Sequence, residues 1–157
     1  MSDPVVKEHD LQFLRRAIEL ALEARQDGRH PFGALIVNER GEVTVEALNN
    51  AVRPKGDPTQ HAETVACAAA ARMMGDAELA RCTLYTSTEP CAMCAGAISH
   101  ARLRRLYYAA PDPKGGAVEH GPRFFSQPTC LHAPQVYGGI RESEAAAMLR
   151  AFFAARR

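Results

Sequence analysis

The chain has 157 residues and a formal net charge of +1, with 46% hydrophobic and 24% charged residues. This length and composition predict one globular domain, residues 1–157, with a sizeable core. No apolar run reaches the roughly 20 residues of a membrane span, and the N-terminus lacks the basic and apolar layout of a secretory signal. The five cysteines, two of them in a CxxC, argue against a disulfide framework and favour a reducing cytoplasm.

The first part of the chain predicts a helix followed by a hairpin. Apolar residues recur at helical spacing across residues 8–27, and Gly28 follows as a stop signal. Residues 32–37 form an apolar run and residues 43–48 alternate, which indicates two antiparallel strands. The second strand is predicted to hold Val43, Val45 and Ala47 on one face. The polar residues 49–60 predict a loop.

The rest of the chain alternates between helices and strands. A helix rich in small residues is predicted from His61 to about Gly75. The remaining elements are a strand at 82–87, a helix at 91–101, a strand at 104–110, an irregular segment at 111–134, a short strand at 135–137 and a helix at 142–157. This order predicts an α/β fold, a three-layer α/β/α sandwich with helices on both faces of a single mixed five-stranded sheet.

A histidine and two cysteines suggest a metal site. His61 precedes one predicted helix, and Cys91 and Cys94 lie at the start of another, three residues apart and on one helical face. One nitrogen and two sulfurs are ligands that tetrahedral Zn²⁺ prefers, and three protein ligands leave a position open for water. Glu63 is available as the carboxylate that transfers protons. The pattern therefore favours a hydrolytic zinc site.

Other interpretations of the CxxC remain open at this point. A CxxC also occurs in redox-active proteins and in structural zinc sites with four protein ligands. Cys67 or Cys82 could supply a fourth ligand, although their positions within a helix of alanines and at a strand start favour small core residues. Cys130 falls in the irregular segment and has no predicted role.

Two motifs resemble those of a known family. His61-Ala62-Glu63 and Pro90-Cys91-Ala92-Met93-Cys94 match the H-x-E and P-C-x-x-C signature of zinc nucleobase deaminases. The residues that lead into each motif, 57–60 and 85–89, are also similar to that family. The chain thus resembles the cytidine deaminase-like superfamily, and within it the guanine deaminase and tRNA adenosine deaminase branches.

The resemblance implies a reaction and a set of site residues. It implies hydrolysis of an exocyclic amine on a nucleobase to a carbonyl with release of ammonia, Zn²⁺ as cofactor, and Glu63 as the proton shuttle. The implied zinc ligands are His61, Cys91 and Cys94. The implied substrate contacts are Asn50, Phe32, Ala62 and Pro90. An ordinary turn residue at Asn50 and an ordinary core residue at Phe32 are the alternatives.

The two branches imply different substrates. Residues 30–34 are similar to enzymes that act on free bases, whereas residues 112–116 and the Phe152-Phe153 helix are similar to tRNA adenosine deaminases. The arginines that could bind tRNA are Arg102, Arg104, Arg105, Arg156 and Arg157. Because the net charge is only +1, we expect a free nucleobase or nucleoside as substrate, with tRNA as the alternative. A non-catalytic zinc-fold subunit is a third hypothesis.

The resemblance also implies a homodimer in which the helices after the CxxC contact each other. Exposed apolar residues at Met93, Ile98 and Leu103 would be consistent with such an interface.

Overall fold

A computed structural model of the chain describes residues 6–155. Its helices are α1 (Glu8–Gln26), α2 (Ala62–Met73), α3 (Asp76–Leu79), α4 (Ala92–Ala101) and α5 (Glu142–Ala155). Its strands are β1 (Gly33–Val37), β2 (Val43–Leu48), β3 (Thr83–Thr88), β4 (Arg105–Ala110) and β5 (Gln135–Tyr137). A single 3-10 turn, Phe124–Ser126, interrupts the segment between β4 and β5.

All five strands form one mixed sheet in the order β2-β1-β3-β4-β5. β1 pairs antiparallel with β2 and with β3, whereas β3, β4 and β5 are parallel neighbours. The predicted α/β class, the hairpin and the mixed five-stranded sheet are therefore confirmed. Thr88 and Ala110 pair at the carboxyl ends of β3 and β4, so the segments that follow these strands leave the sheet at the same edge.

One face of the sheet is covered by α2 and α4. Their buried positions hold small residues, including Ala62, Ala66 and Ala70 of α2, which pack against Leu84, Leu106 and Tyr108 in the same cluster. Side chains this small let a helix lie close to the sheet, as the run of alanines suggests. The position of α2 and α4 brings their N-terminal ends close together.

The opposite face is covered by α1 and by the buried side chains Ala145 and Met148 of α5. Gly33 of β1 lies directly under α1, and a Cβ at this position would overlap the backbone of Ala17 and Ala21. The helix therefore packs on β1 at a distance that only glycine allows. With α2 and α4 on the other face, this arrangement confirms the predicted three layers.

Several details differ from the sequence predictions. Val43 is 43% exposed, because β2 is an edge strand and its first residue lies beyond the helix that covers Val45 and Ala47. The short helix α3 was not predicted, since four residues carry too little periodicity to detect. Ala145 and Met148 of α5 are buried, whereas Ala146, predicted to face inward, is only half-buried. The side chains of Leu149, Phe152 and Phe153, which were also predicted to face inward, lie outside the part of the chain that the structure describes. Arg156 and Arg157 lie outside it as well.

Within residues 6–155, no helix has the length and apolar character needed to cross a bilayer.

Candidate metal centre and active site

Two helix N-termini meet at the site. His61 is the N-cap residue of α2, and Cys91 is the N-cap residue of α4, both with extended backbone. Cys94 follows in the first turn of α4 and is fully buried. Pro90, which fixes its own backbone angle, precedes Cys91 at the end of β3 and sets the direction in which α4 begins. His61, Cys91 and Cys94 therefore lie together, although up to 33 positions separate them in the sequence.

The three ligand atoms have the spacing that a zinc ion requires. His61 Nδ1 lies 3.5 Å from Cys91 Sγ and 3.6 Å from Cys94 Sγ, and all three atoms lie within 4.8 Å of one another. A tetrahedral ion with Zn–S near 2.3 Å and Zn–N near 2.0–2.1 Å places nitrogen and sulfur about 3.6 Å apart. The side chains present therefore fit Zn²⁺ without rearrangement.

Only three protein ligands converge here. Within residues 6–155, no further His, Cys, Asp or Glu side chain joins the group, and it is the one such group found. Cys67 and Cys82 are buried free cysteines that pack in the apolar cluster under α2, so neither supplies a fourth ligand. The structural-zinc alternative with Cys67 or Cys82 does not fit this arrangement, and a fourth position remains for a non-protein ligand.

The environment of the two sulfurs favours a thiolate. The hydrogen bond from the Cys94 thiol, followed by that from His61, lowers the pKa of Cys91 to about 4. The pKa of Cys94 moves in the opposite direction, because its thiol donates to Cys91 and is buried. The hydrogen bond to Cys91 also raises the pKa of His61. A thiolate beside an imidazole at a helix N-terminus is a strong site for a soft divalent cation.

Glu63 lies in the first turn of α2, two residues after His61. It is 6% exposed, and burial is the main reason that the pKa of its carboxyl is raised to about 7. The other buried residues of α2 are all alanine or cysteine, so a buried carboxylate at this position has no evident role in packing. Its position next to the metal ligands is the one that a proton shuttle needs.

Asn50 is held beside the metal-binding turn by Gln60. Its backbone N–H donates to the Gln60 carbonyl oxygen at 2.8 Å, and its side-chain amide donates to Gln60 Oε1 at 2.5 Å. Gln60 is the residue immediately before His61, so these bonds connect Asn50 directly to the start of α2. Asn50 is exposed, and beyond its bond to Gln60 its side-chain amide still offers an oxygen acceptor and a second N–H donor.

The other three predicted substrate contacts lie around the same turns. Ala62 is the first residue of α2 and is fully buried, so only its backbone N–H, which has no acceptor within the helix, is suited to a substrate contact. The Pro90 ring is buried, and its carbonyl oxygen accepts from the N–H of Ala117 at 2.9 Å. Phe32 is half-buried and packs against the core under α2, so both its pocket-wall and its core alternatives remain compatible with its position.

Glu89 is a buried charged residue of this region that the sequence analysis did not assign. Burial raises the pKa of its carboxyl, but hydrogen bonds from the backbone of Asp112 and from His120 outweigh this and hold the pKa below its ordinary value. The carboxylate is therefore ionised at neutral pH and engaged by the segment after β4. The available signal was a glutamate at the end of a buried strand, directly before Pro90 and Cys91, but its partners lie more than twenty residues further on.

Similarity to known proteins agrees with this geometry. The chain is 52% identical over 144 residues to the tRNA-specific adenosine deaminase of Agrobacterium fabrum strain C58, covering 89% of this chain and 93% of that protein. A solved structure from a study of A-to-I editing by tRNA:A34 deaminases is 48% identical, with a TM-score of 0.80 over 88% of this chain and 99% of that one. The guanine deaminase of Bacillus subtilis is 34% identical, with a TM-score of 0.62 over 95% of each chain.

The family signature covers the metal centre itself. Residues 7–110 match the cytidine and deoxycytidylate deaminase zinc-binding region. This range contains His61, Glu63, Cys91 and Cys94, which the structure brings together at the starts of α2 and α4. The chain therefore belongs to the family of cytidine and deoxycytidylate deaminases, as the two motifs of its sequence indicated.

Proposed function

We propose that the chain deaminates adenosine to inosine in tRNA. As a member of its family it is a zinc-dependent hydrolytic deaminase. The observation that carries the choice of substrate is the 52% identity, over nearly the whole of both chains, to a tRNA-specific adenosine deaminase. The reaction would add water at the carbon that bears the exocyclic amine and release ammonia, leaving a carbonyl.

In this proposal the ion is held by His61, Cys91 and Cys94. When bound, Zn²⁺ supplies a water activated for attack at neutral pH. Glu63 accepts the proton of that water on a carboxylate oxygen and returns it to the leaving nitrogen, a transfer worth roughly 10²–10⁴-fold in rate. The Oδ1 atom of Asn50 and the backbone N–H of Ala62 orient the base, and burial of Glu63 keeps bulk water away from the transfer.

The relatives favour tRNA over the free nucleobase or nucleoside that the sequence analysis placed first. That expectation rested on a net charge of +1, but binding to phosphates depends on where cations lie and not on their sum. Lys55 is exposed on the loop before His61, and Lys114 is exposed on the segment that contacts Pro90. Both cations lie on segments that lead into or contact the metal-binding turns, and in this proposal they contact the phosphate backbone.

A free base remains the second candidate, because the structure of the Bacillus subtilis guanine deaminase is 34% identical over 95% of this chain. The non-catalytic hypothesis has little support, since a carboxylate is present beside the metal ligands. We also propose that the chain acts as one domain, which its single sheet supports, and that it works in the cytoplasm, where its tRNA substrate would be found.

We further propose that the chain forms a homodimer through α2 and α4. A groove on the outer side of these helices is lined mainly by small and apolar residues, including Ala68, Met93, Gly96 and Ala97. Met93 is 36% exposed, as expected for an interface, but Ile98 and Leu103 are fully buried in the core. They face the sheet and not the groove, so the expectation that they are exposed was wrong. Sedimentation at varied concentration tests this assembly.

The substrate is tested by one panel of reactions with the zinc-loaded chain. The panel contains an anticodon stem-loop with adenosine at the wobble position, the same stem-loop with guanosine there, and free guanine, adenine, cytosine and their nucleosides. We expect inosine, measured by mass spectrometry, only in the adenosine stem-loop. Ammonia release from a free base, with no inosine in the stem-loop, would reject the tRNA proposal and support the second candidate.

A further inference from the structure

The Glu89 carboxylate is the centre of a hydrogen-bond cluster. Its Oε2 accepts from three successive backbone N–H groups, those of Val118, Glu119 and His120, at 3.1, 3.1 and 3.2 Å. Its Oε1 accepts from the N–H of Asp112 at 3.0 Å and lies 2.8 Å from His120 Nδ1. Because an ionised carboxylate can only accept, the imidazole must donate through Nδ1. The Glu89 side chain is 0% exposed and the His120 side chain is 35% exposed, so the carboxylate end of these bonds is buried.

The donors all belong to residues 112–120, which we call the Glu89 loop. This loop contains no helix or strand, so its course depends on the bonds it makes with the rest of the protein. Besides those to Glu89, the N–H of Ala117 donates to the Pro90 carbonyl oxygen at 2.9 Å. At Gly116, an added Cβ would overlap both the Glu89 carboxylate and the Asp112 carbonyl oxygen. The loop therefore wraps closely around one buried anion, in the manner of an anion-binding nest.

The place of this cluster connects it to the metal centre. Glu89 and Pro90 are the two residues between the end of β3 and the ligand Cys91, and the Glu89 loop follows β4, the parallel neighbour of β3. Ligands of open α/β sheets bind outside the carboxyl ends of such strands. The Glu89 loop is consequently fixed against the turn that carries a zinc ligand, at the edge of the sheet where the substrate would enter.

We propose that Glu89 is a positioning residue, whose carboxylate fixes the Glu89 loop against the Cys91 turn so that the loop forms a wall of the substrate site. This inference rests on the proposed function for its substrate, but the arrangement of the loop does not depend on it. Glu89 is not a member of the metal-binding group of His61, Cys91 and Cys94, and all its hydrogen bonds described above go to the Glu89 loop. Its contribution is to hold Lys114 and the neighbouring backbone in the conformation that a bound stem-loop would meet.

The test uses Glu89→Gln in the zinc-loaded chain. An amide keeps the size but presents an NH₂ group to donors, so at least one set of loop bonds is lost. We expect unchanged zinc content, amide hydrogen exchange at residues 112 and 118–120 at least about tenfold faster, and KM for the adenosine stem-loop raised about tenfold or more with kcat changed far less. Glu46→Gln is the control for the substitution itself, because Glu46 lies on the distant strand β2, where its exposed carboxylate accepts two bonds from Arg16 of α1.

Two results would overturn the inference: unchanged exchange in the loop, or an unchanged KM, whether or not kcat falls. A general loss of stability would speed exchange throughout the sheet and would not produce a change confined to the loop and to KM. If the wild-type chain fails to deaminate the stem-loop, the proposed function is rejected, and the exchange measurement alone still decides the role of Glu89.

If Glu89→Gln does not fold, two other variants test the same inference. His120→Ala removes only the imidazole donor, and we expect a smaller increase in exchange at the same amides. Gly116→Ala leaves Glu89 in place but forces the loop away from it, and we expect the increase in KM to reappear. If both variants match the wild-type chain in exchange and KM, the inference is wrong.

Discussion

The two faces of the sheet are built in different ways. Under α1, aromatic rings stack across neighbouring strands, with ring centroids 4.9 Å apart for Tyr85 and Tyr107 and 4.7 Å apart for Tyr107 and Tyr137. Under α2 and α4, the alanines of α2 pack on aliphatic side chains of the sheet and on Tyr108, and the buried carboxylates Glu63 and Glu89 lie at the edge of this layer. The first face stacks aromatic rings across its strands, whereas the second places buried carboxylates beside the N-terminal ends of its helices.

The polar groups of the two faces also have different partners. On the α1 face, the buried Asp10 accepts from the Tyr85 hydroxyl and from the Lys7 N–H. Each of its two carboxylate oxygens therefore has a hydrogen-bond partner within the protein. On the other face, His61, Cys91 and Cys94 point at one another around a position with the dimensions of a zinc ion. We therefore expect substitutions on the α1 face to change stability, and substitutions on the α2 and α4 face to change metal content or catalysis.

The largest effect is expected for Cys94→Ala. Removing one of three protein ligands leaves too few donors to retain Zn²⁺, so both bound zinc and deamination should fall to background. Zinc measured by mass spectrometry on the purified protein, together with inosine formed, checks this. Cys82→Ala is the matched control, since Cys82 is equally buried but lies outside the ligand group. Stoichiometric zinc in Cys94→Ala would contradict the assigned ligands.

Glu63→Ala should separate metal binding from catalysis. Glu63 is not among the metal ligands, so zinc content should match that of the wild-type chain. Loss of the proton shuttle should lower kcat by about 10²–10⁴-fold. Single-turnover rates with the adenosine stem-loop measure the loss, and retention of wild-type activity in this variant would reject the mechanism.

Tyr85→Phe tests the opposite face. Burial and the adjacent Asp10 raise the pKa of Tyr85, so its hydroxyl is a neutral donor to the buried carboxylate. Removing this donor should lower the free energy of unfolding by about 1.5–3 kcal/mol, as for other hydrogen bonds to charged groups. Urea unfolding measures the change, while zinc content and kcat should stay at wild-type values. A Tyr85→Phe variant that folds normally but loses activity would contradict the expectation that the α1 face affects stability and not catalysis.

The smallest effect is expected for Lys55→Ala, at the exposed edge of the site. Losing one phosphate contact should weaken stem-loop binding a few-fold and reduce the slope of log K against log salt concentration by about 0.7–0.9. Binding measured between low and physiological salt checks this, with zinc content as the control for integrity. An unchanged slope would place Lys55 away from the nucleic acid.

Much of the fold could be predicted because periodicity reports burial directly. The spacing of apolar residues in α1 and the apolar run of β1 give elements that match the structure to within one residue or so. That His61, Cys91 and Cys94 come together could also be predicted, because the three residues lie in two short motifs. The expected dimer interface was less predictable: Ile98 of α4 and Leu103, just after this helix, are core residues, because α4 turns Ile98 towards the sheet and Met93 towards the outside.

The Glu89 cluster was beyond sequence reasoning for a different reason. The donors to Glu89 are mostly backbone N–H groups, which carry no side-chain signature. The segment that supplies them has no periodicity to place it, and it approaches Glu89 only because β3 and β4 are adjacent in the sheet. The role of Gln60 was not predicted for a similar reason, because its contact with Asn50 depends on the course of an irregular loop.

X-ray absorption at the zinc edge tests the central claim most directly, because it counts the donor atoms around the ion. For the purified wild-type chain we expect two sulfurs at about 2.3 Å and two nitrogen or oxygen atoms at about 2.0–2.1 Å, one from His61 and one from solvent. About one zinc per chain with this shell would support an open, hydrolytic site. A shell of three or four sulfurs, or a chain that binds no zinc, would contradict the account.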